Sequence, residues 1–243
     1  MTKIKVTDRT ELMFSQAVAL AQNGMMKSTI HANGDKLFVL NMDDTILIRF
    51  KMNQEFPQAV SFFANDYESP DMILEGDQVA FMTNSEGHSR KKICPKPKIG
   101  FEAVAKIWEG FKTEEPAEIE PVTVPLTKHI LALLDDDLSH VEFHNEGGLK
   151  IIQKNIYSGA RVEIENQVAK TGLLGNDLPA FEPIGIRTTD LKALFSFVDE
   201  LTLHIFPGNN WLYFRDGYKI LEGILGTCLY DEIGFVAEAR HGR

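Results

Sequence analysis

The sequence has little of what marks several large classes of protein. Its 243 residues include two cysteines, Cys94 and Cys228, too few for a disulfide framework, so a reducing cytoplasm is the expected compartment. No apolar run approaches the ~18 residues of a membrane span. No apolar stretch follows the charged residues 1–6, so we expect neither a signal peptide nor a membrane partner.

Signatures of catalysis and of metal binding are also missing. There is no Gly-rich phosphate loop, no Ser/His/Asp set and no Cys-x-x-Cys pair, so we expect neither an enzyme nor a bound cofactor. His140 and His144 are four residues apart. The segment around them has the pattern of a strand, where that spacing corresponds to ~13 Å, so a zinc site is not expected.

Basic charge is scarce, because 25 Lys and Arg stand against 35 Asp and Glu for a net charge of −10. This balance opposes non-specific binding to nucleic acid, which normally needs a basic surface. The charges are nevertheless segregated along the chain. Residues 90–98 (RKKICPKPK) carry five positive charges and no acid, whereas residues 114–120 (EEPAEIE) carry four acids and no base.

A hairpin pattern occurs four times along the chain. Each copy has two runs of strand-forming residues around a turn of Gly, Asn or Asp, residue types that tolerate positive φ. The four turns are 31–35, 75–77, 144–148 and 207–210. Further strand candidates follow the four hairpins at 45–51, 88–93, 161–168 and, less regularly, 219–221 with 225–230.

A helix is predicted before each hairpin from apolar spacing and from plausible first-turn residues. The predicted helices are 9–22, 57–65, 126–134 and 189–198. The pattern is therefore helix, hairpin and strand in four copies. Helices packed on hairpin-built, antiparallel sheets indicate an α+β protein, and the absence of regular strand–crossover–strand units argues against Rossmann or barrel enzymes.

Residues 94–125 are rich in proline and charge and separate the first two repeats from the last two. We therefore predict an N-terminal domain at 1–93, a connector at 94–125 and a C-terminal domain at 126–243. Within the connector, four apolar residues have helical spacing: Phe101, Val104, Trp108 and Phe111. This spacing predicts a short helix that either covers an apolar surface or contacts a subunit or partner.

Three short stretches resemble one protein family. Residues 40–46 (LNMDDTI) are similar to its Met-Asp segment between the second and third strands. Residues 131–151 (LALLDDDLSHVEFHNEGGLKI) resemble the opening of its second domain, and 225–233 (LGTCLYDEI) resemble its last strand and acidic tail. With the fourfold repeat, which covers nearly the whole chain, they resemble DNA sliding clamps such as the proliferating cell nuclear antigen and the clamps of T-even bacteriophages.

The resemblance implies a DNA-clamp fold of two similar domains, each with antiparallel sheets outside and two helices inside. It implies a homotrimeric ring around duplex DNA that serves as a DNA polymerase processivity factor and is opened by a clamp-loader ATPase. No catalytic activity is expected. Small size and weak similarity to cellular clamps favour a bacteriophage protein that acts in the host cytoplasm or nucleoid.

The resemblance also suggests two sets of site residues. DNA in such a ring is held by long-range electrostatics rather than base contacts, so basic and amide side chains of the inner helices are expected to face it: Arg9, Gln16, Gln58, Lys128, His129, Arg187 and Lys192. Nearby acids, Asp190 and 135–137, dilute this face. A partner peptide is expected at an apolar site, although core packing is the alternative for these residues: Met42, Ile46, Ile119, Val122, Leu229 and Tyr230.

Three other functions remain open. Residues 38–47 (FVLNMDDTIL) resemble the strand end of haloacid dehalogenase-type phosphatases, but Asn41 stands where that family has its nucleophilic Asp, and an amide is a poor nucleophile. A non-catalytic structural or binding protein of duplicated antiparallel domains, such as a virion component, is the second. A single-strand binder is the third and would interleave aromatics with bases, but the aromatics fall at predicted core positions: Phe62, Phe63, Phe195, Phe197, Phe206 and Trp211.

Overall fold

The computed structural model divides the chain into two compact units. The first comprises Met1–Glu115 with Ile220–Gly223, and the second comprises Pro116–Lys219 with Ile224–Arg243. The structure describes residues 2–23, 28–41, 46–113, 121–135, 138, 140–145, 149–154, 161–165, 183–195, 198–206, 211–218 and 220–226.

Among its described residues, the first unit holds six complete strands, two helices and one 3₁₀ turn. Its described elements are β1 (Thr2–Lys5), α1 (Asp8–Asn23), β2 (Ser28–Asn41), β3 (Ile46–Phe63), the 3₁₀ turn (Ala64–Asp66), β4 (Asp71–Glu75), β5 (Gln78–Ser85), β6 (His88–Ile93) and α2 (Phe101–Thr113). Four strands form an antiparallel sheet in the order β1-β4-β5-β6. β2 and β3 pair antiparallel with each other outside this four-stranded sheet.

Strand β2 contains the first predicted hairpin. The Thr29 hydroxyl donates to the carbonyl of Leu40 at 3.3 Å, although the two residues are eleven apart. Eleven extended residues would span ~36 Å, so the two halves of β2 must fold back on each other. Gly34 sits at the bend with a φ of 55°, a left-handed conformation that glycine adopts without steric cost.

This hairpin is buried on both faces. Side chains alternate between the two faces of a strand, so the β2–β3 register divides these residues into two sets. The first set, here called the Phe62 face, is Ile30, Val39, Ile48 and Phe62. The second set, here called the Phe38 face, is His31, Phe38, Arg49 and Ser61. On the Phe62 face, Phe14 of α1 stacks edge-on against Phe62, with ring centroids 5.5 Å apart. On the Phe38 face, α2 places Phe101 and Trp108 within 5.7 and 6.0 Å of the Phe38 ring. The two helices therefore cover opposite faces of the sheet.

The predicted helix at 57–65 is wrong. β3 continues through this segment to Phe63, and only Ala64–Asp66 forms a 3₁₀ turn. Residues 60–63 pair with 29–32 of β2, and Val60 and Phe62 are buried while Ser61 and Phe63 are less so. This period of two, together with the β-branched and aromatic residues, favours a strand over a helix. The second helix of the first unit is instead α2, at the connector position where apolar spacing predicted a helix that covers an apolar surface.

The second unit contains the last two predicted hairpins. Its described elements are β7 (Val122–Thr127), α3 (Lys128–Leu131), β8 (His140–Asn145), β9 (Leu149–Lys154), β10 (Arg161–Glu165), β11 (Ile184–Arg187), α4 (Thr188–Leu194), β12 (Glu200–Ile205), β13 (Trp211–Arg215) and β14 (Leu221–Gly226), whose first three residues group with the first unit. One antiparallel sheet has the order β10-β9-β8-β11, and β12 pairs with both β7 and β13.

Both described helices of the second unit are shorter than predicted. Residues 126 and 127 of the predicted helix 126–134 belong to β7, because they pair with 200 and 201 of β12. The helix predicted at 189–198 ends at Leu194. Gln153 of β9 fixes both helical segments: it accepts a hydrogen bond from the Asp135 amide at 2.7 Å and donates to the Thr188 hydroxyl at 3.3 Å. The buried Gln153 side chain thereby supplies hydrogen bonds to residues at the ends of the two short helical segments, where a longer helix would supply its own.

The remaining sequence predictions have mixed outcomes. The paired strands of the hairpins 72–82, 141–153 and 201–214 are confirmed, as are the strand at 88–93 and the helix at 9–22. The strand predicted at 45–51 is observed from residue 46, and the turn residues 146–148 and 207–210 lie outside the described residues. The strand predicted at 161–168 is observed over Arg161–Glu165, with 166–168 outside the described residues. α2 lies in the predicted connector 94–125, and it belongs to the first compact unit. The predicted domain bounds 1–93 and 126–243 stay a prediction. Among the described helices, none is long and apolar enough to cross a membrane.

Candidate nucleic-acid and partner interfaces

Helix α1 carries two of the predicted DNA-facing residues. Thr10, Phe14 and Ala17 are buried against the sheet, so the opposite face of the helix meets solvent. Arg9 lies on this exposed face, and Gln16 is half-buried. The exposed face also contains Asp8 and Leu12, which is 58% exposed. Its charge is therefore close to neutral rather than basic.

Helix α3 places Lys128 and His129 at the surface of the second unit. Both side chains are exposed. The Lys128 amide donates to the carbonyl of Asp199 at 3.0 Å, and the Lys128 ammonium forms an ion pair with the Asp199 carboxylate. Lys128 is thus already partnered, which reduces the positive potential that it offers to a phosphate.

Helix α4 positions the last two predicted DNA-facing cations. Arg187, directly before the helix, donates from Nε to Asp190 Oδ2 at 2.8 Å. Lys192 donates from Nζ to the carbonyl of Leu134 at 3.3 Å. Asp190, which was expected to lower the positive charge of this surface, binds Arg187 directly, so the surface is only weakly basic.

Gln58 does not lie on a helix, so the basis for placing it against DNA is wrong. The residue belongs to β3, is exposed, and donates from Nε2 to the carbonyl of Gly76 in the β4–β5 turn. The hydrogen bond joins the strand to the turn, which is a structural role.

Most of the predicted partner-peptide site lies outside the described residues. This applies to Met42, Ile119, Leu229 and Tyr230, and for Val122 the structure describes only the backbone, in β7. Ile46 is 2% exposed, as core packing requires. Its amide donates to Oδ1 of Asn41 at 2.8 Å. Asn41, which stands at the position of the phosphatase nucleophile, thus uses its side-chain oxygen to accept a hydrogen bond from the first residue of β3.

The basic segment 90–98 is largely neutralised by acids of the same unit. Arg90 reaches Glu68 at 3.4 Å, and Lys91 reaches Glu75 at 2.6 Å. Lys92 contacts both Glu68 and Asp66, and Lys96 pairs with Asp77. Four of the five positive charges of segment 90–98 therefore have an acidic partner in the fold, and the segment is not a free cationic surface.

Strand β3 contacts both α2 and the segment 220–223 through residues that are distant in sequence. Arg49 of β3 lies 5.9 Å from the centre of the Trp108 ring, and its Nη1 donates to Glu222 Oε1 at 2.7 Å. The amide of Lys51 donates to the carbonyl of Ile220 at 3.1 Å. No sequence signal pointed to these pairs, because they join residues far apart along the chain.

Burial shifts the pKa values of several titratable side chains. Burial lowers the pKa of His31 to about 4, and its ring nitrogens lie 2.8 Å from the Thr29 hydroxyl and 2.9 Å from the Ser61 hydroxyl. Burial also lowers the pKa of His204 to about 4 and raises that of the Cys94 thiol to about 12. His144 contacts Glu142 at 2.7 Å, but within the described ranges no three His, Cys, Asp or Glu side chains are grouped to hold a metal.

The fold matches solved structures, although no protein-family model and no curated sequence matches this chain. A Helicobacter pylori beta clamp bound to a DNA ligase peptide has a TM-score of 0.61 at 11% identity, covering 93% of this chain. The PCNA2–PCNA3 complex of Sulfolobus tokodaii gives 0.57 at 12% identity, also over 93% of this chain.

The two matches differ in the share of the other chain that is covered. This chain spans 65% of the Helicobacter pylori clamp, just under two thirds of its length, but 99% of the Sulfolobus tokodaii chain. A third match, to a chain from Eubacterium rectale provisionally assigned as a DNA polymerase III beta subunit, gives a TM-score of 0.60 at 10% identity and covers 95% of this chain and 66% of that one. The described sheets are antiparallel, and the helices are few and short. The chain therefore has the DNA sliding-clamp fold.

Proposed function

We propose that this protein is a sliding clamp that encircles duplex DNA and acts as a DNA polymerase processivity factor. The observation that carries the proposal is the fold, which matches clamp structures over 93% of the chain. Identity of 10–12% to these proteins, with no matching family model, agrees with a bacteriophage origin and action in the host cytoplasm. In this proposal the protein has no turnover of its own.

The proposed ring is a homotrimer. This chain has two compact units and covers 99% of a PCNA-type chain. The resemblance implies six similar domains per ring, so a two-unit chain closes the ring with three copies joined by a repeated head-to-tail contact. The ring holds DNA by topology, which agrees with a net charge of −10 and with the partnered cations of α3 and α4.

The outermost strands of two sheets are candidates for the contact between copies. β6 ends the sheet of the first unit and β10 ends a sheet of the second, as far as the described residues extend. An outermost strand offers unpaired backbone groups to another chain. Ile93, at the end of β6, is 51% exposed. Ile93→Glu is expected to lower the trimer fraction, whereas Ile107→Glu on α2, where the isoleucine is 41% exposed, serves as the matched control.

The proposed partners are a polymerase and a clamp-loader ATPase. A partner peptide binds the apolar set Met42, Ile46, Ile119, Val122, Leu229 and Tyr230 in this proposal. Because Ile46 is buried, its expected part is to support the site from beneath. Duplex DNA is contacted without sequence preference, through Arg9, Gln16 and His129 together with the partnered Lys128, Arg187 and Lys192.

A loader-free threading experiment tests encirclement. The protein is incubated with linear duplex DNA that carries biotin at both ends, and the ends are then blocked with streptavidin. A ring that has threaded onto the duplex stays on end-blocked DNA in high salt and leaves when a restriction enzyme cuts it. Arg9→Gln and Lys128→Gln are expected to change retention less than about threefold, since electrostatic contacts contribute little at high salt.

The outcomes separate the proposal from its rivals. Retention that is equal with open and blocked ends would contradict encirclement and indicate ordinary surface binding. Absence of retention, combined with a protein that is not trimeric, would favour a non-ring structural or binding protein such as a virion component. Phosphate release that depends on residues 43 and 44 would revive the phosphatase alternative.

A further inference from the structure

The four-stranded sheet of the first unit has a groove on the face that points away from the core. Phe81 of β5 is fully buried and lies 5.3 Å from the rings of Phe62 and Tyr67, so its face is the core face. Residues alternate along a strand, so Met82 and its cross-strand partner Lys91 lie on the opposite face. A cavity of about 730 Å³ opens on that face, within the ~300–1,000 Å³ typical of ligand pockets.

The groove combines an apolar floor with a cationic rim. Ile73, which is buried, and Met82 line it from β4 and β5. Lys3 and Lys5 line it from β1, and Lys91 lines it from β6. One carboxylate, Asp71, is also part of the lining, so three ammonium groups stand against one acid. Glu75, just outside the lining, accepts a hydrogen bond from Lys91 at 2.6 Å. Lys3 and Lys5 are exposed, and the described residues show no ion pair for either of them.

We propose that this groove docks an acidic, extended peptide of a partner protein, with an apolar side chain seated over Ile73 and Met82. The lysines match the acidic side chains of such a peptide, and the floor gives its apolar side chain a surface to bury. A nucleic-acid backbone fits less well, because phosphates and sugars offer no apolar side chain that could be buried over Ile73 and Met82. None of the groove's lining residues belongs to the peptide-binding set proposed above, and the inference does not depend on ring formation.

The binding can be measured by fluorescence polarisation of a labelled probe peptide of sequence EDLEDI. Two control peptides separate the two components: KKLKKI reverses the charge, and EDSEDS removes the apolar side chains. A labelled single-stranded oligonucleotide tests the nucleic-acid alternative. Binding of EDLEDI alone, weakening as salt rises, is the expected result.

Charge variants locate the site on the full-length protein. Lys3→Glu with Lys5→Glu is expected to weaken EDLEDI binding at least tenfold. Lys36→Glu with Lys51→Glu makes the same charge change at exposed lysines of β2 and β3 and is expected to change binding less than twofold. Asp71→Asn removes the only acid of the lining and is expected to tighten binding about threefold, roughly the effect of one partly screened charge.

Three results would overturn the proposal. The first is no binding of EDLEDI at any salt concentration. The second is an equal loss in the two double-lysine variants, which would show a general charge effect rather than a site. The third is binding of the oligonucleotide or of EDSEDS as tight as that of EDLEDI, which would show that the apolar floor does not contribute to ligand binding. Circular dichroism of each variant confirms that the fold is kept.

Discussion

Arg49 and Glu222 lie 173 residues apart in the sequence, and a hydrogen bond of 2.7 Å joins the guanidinium of one to the carboxylate of the other. The same guanidinium lies over the ring of Trp108 at 5.9 Å. One side chain of β3 thus contacts both α2 and the returning segment 220–223. Because both partners are only partly exposed, the pair is screened less than a surface ion pair.

A double-mutant cycle with Arg49→Met and Glu222→Gln is expected to give a coupling free energy of about 1 kcal/mol, between the values for exposed pairs and for charged, partly buried hydrogen bonds. Urea unfolding measures it. The exposed pair Lys96–Asp77 provides the control cycle, with a coupling expected to be clearly smaller than that of the Arg49 pair. Equal coupling free energies in the two cycles would show that the Arg49–Glu222 pair contributes no more to stability than an exposed ion pair.

His31 is expected to make stability depend on pH. It is fully buried, and burial lowers its pKa to about 4. The unfolded chain takes up the proton near 6.5, so the contribution of His31 to the free energy of unfolding is constant above that pH, falls as pH drops from 6.5 towards 4, and then levels off. The full loss is roughly 3 kcal/mol for this group.

Urea unfolding of the wild type and of His31→Gln across this pH range isolates the effect, because the other titrating groups are common to both proteins. The variant is expected to lack the part of the slope that His31 contributes. A ring-proton NMR resonance of His31 that titrates near pH 6.5 in the folded protein would contradict this account.

Cys94 is expected to be inert to thiol reagents in the folded protein. The side chain is buried, and burial raises the pKa of its thiol to about 12. The thiolate is the reactive form, and little of it exists at neutral pH. In a Cys228→Ser background, Ellman's reagent should label the thiol only after urea is added. Complete labelling within minutes under native conditions would show that Cys94 is accessible.

Gln153→Leu is expected to destabilise the protein by about 2–3 kcal/mol, because it removes the three hydrogen bonds that this buried side chain makes to Asp135 and Thr188. The glutamine accepts from the Asp135 amide and donates to the Asp135 carbonyl and the Thr188 hydroxyl. Gln78→Leu, at an exposed position of β5, serves as the control, with a change within about 0.5 kcal/mol. Similar midpoints for the two variants in urea would contradict the role given to Gln153.

The sequence predicted the hairpins well because their signals are local. Gly34 and Gly76 have the positive φ that their turns require, and the flanking strands follow from neighbouring residues. The same local signals misassigned residues 57–65. Proline at 57 suits a first helical turn, but pairing with 29–32 and burial of Phe62 against Phe14 decide the conformation, and both depend on residues far away in sequence.

The candidate interfaces were harder to predict for the same reason. Apolar spacing predicted α2, but nothing local indicated that it would cover the Phe38 face, opposite α1. The charges of 90–98 formed a basic run in sequence, whereas the fold pairs four of them with Asp66, Glu68, Glu75 and Asp77. A sequence gives the sign of each charge, and the strand register decides its partner.

The mass of the protein in solution tests the central claim most directly. Native mass spectrometry across a concentration series is expected to give a trimer of about 82 kDa, three times the chain mass of 27.3 kDa, since a two-unit chain needs three copies to close a ring of six units. A mass of 27.3 kDa at every concentration, with and without duplex DNA, would contradict the account.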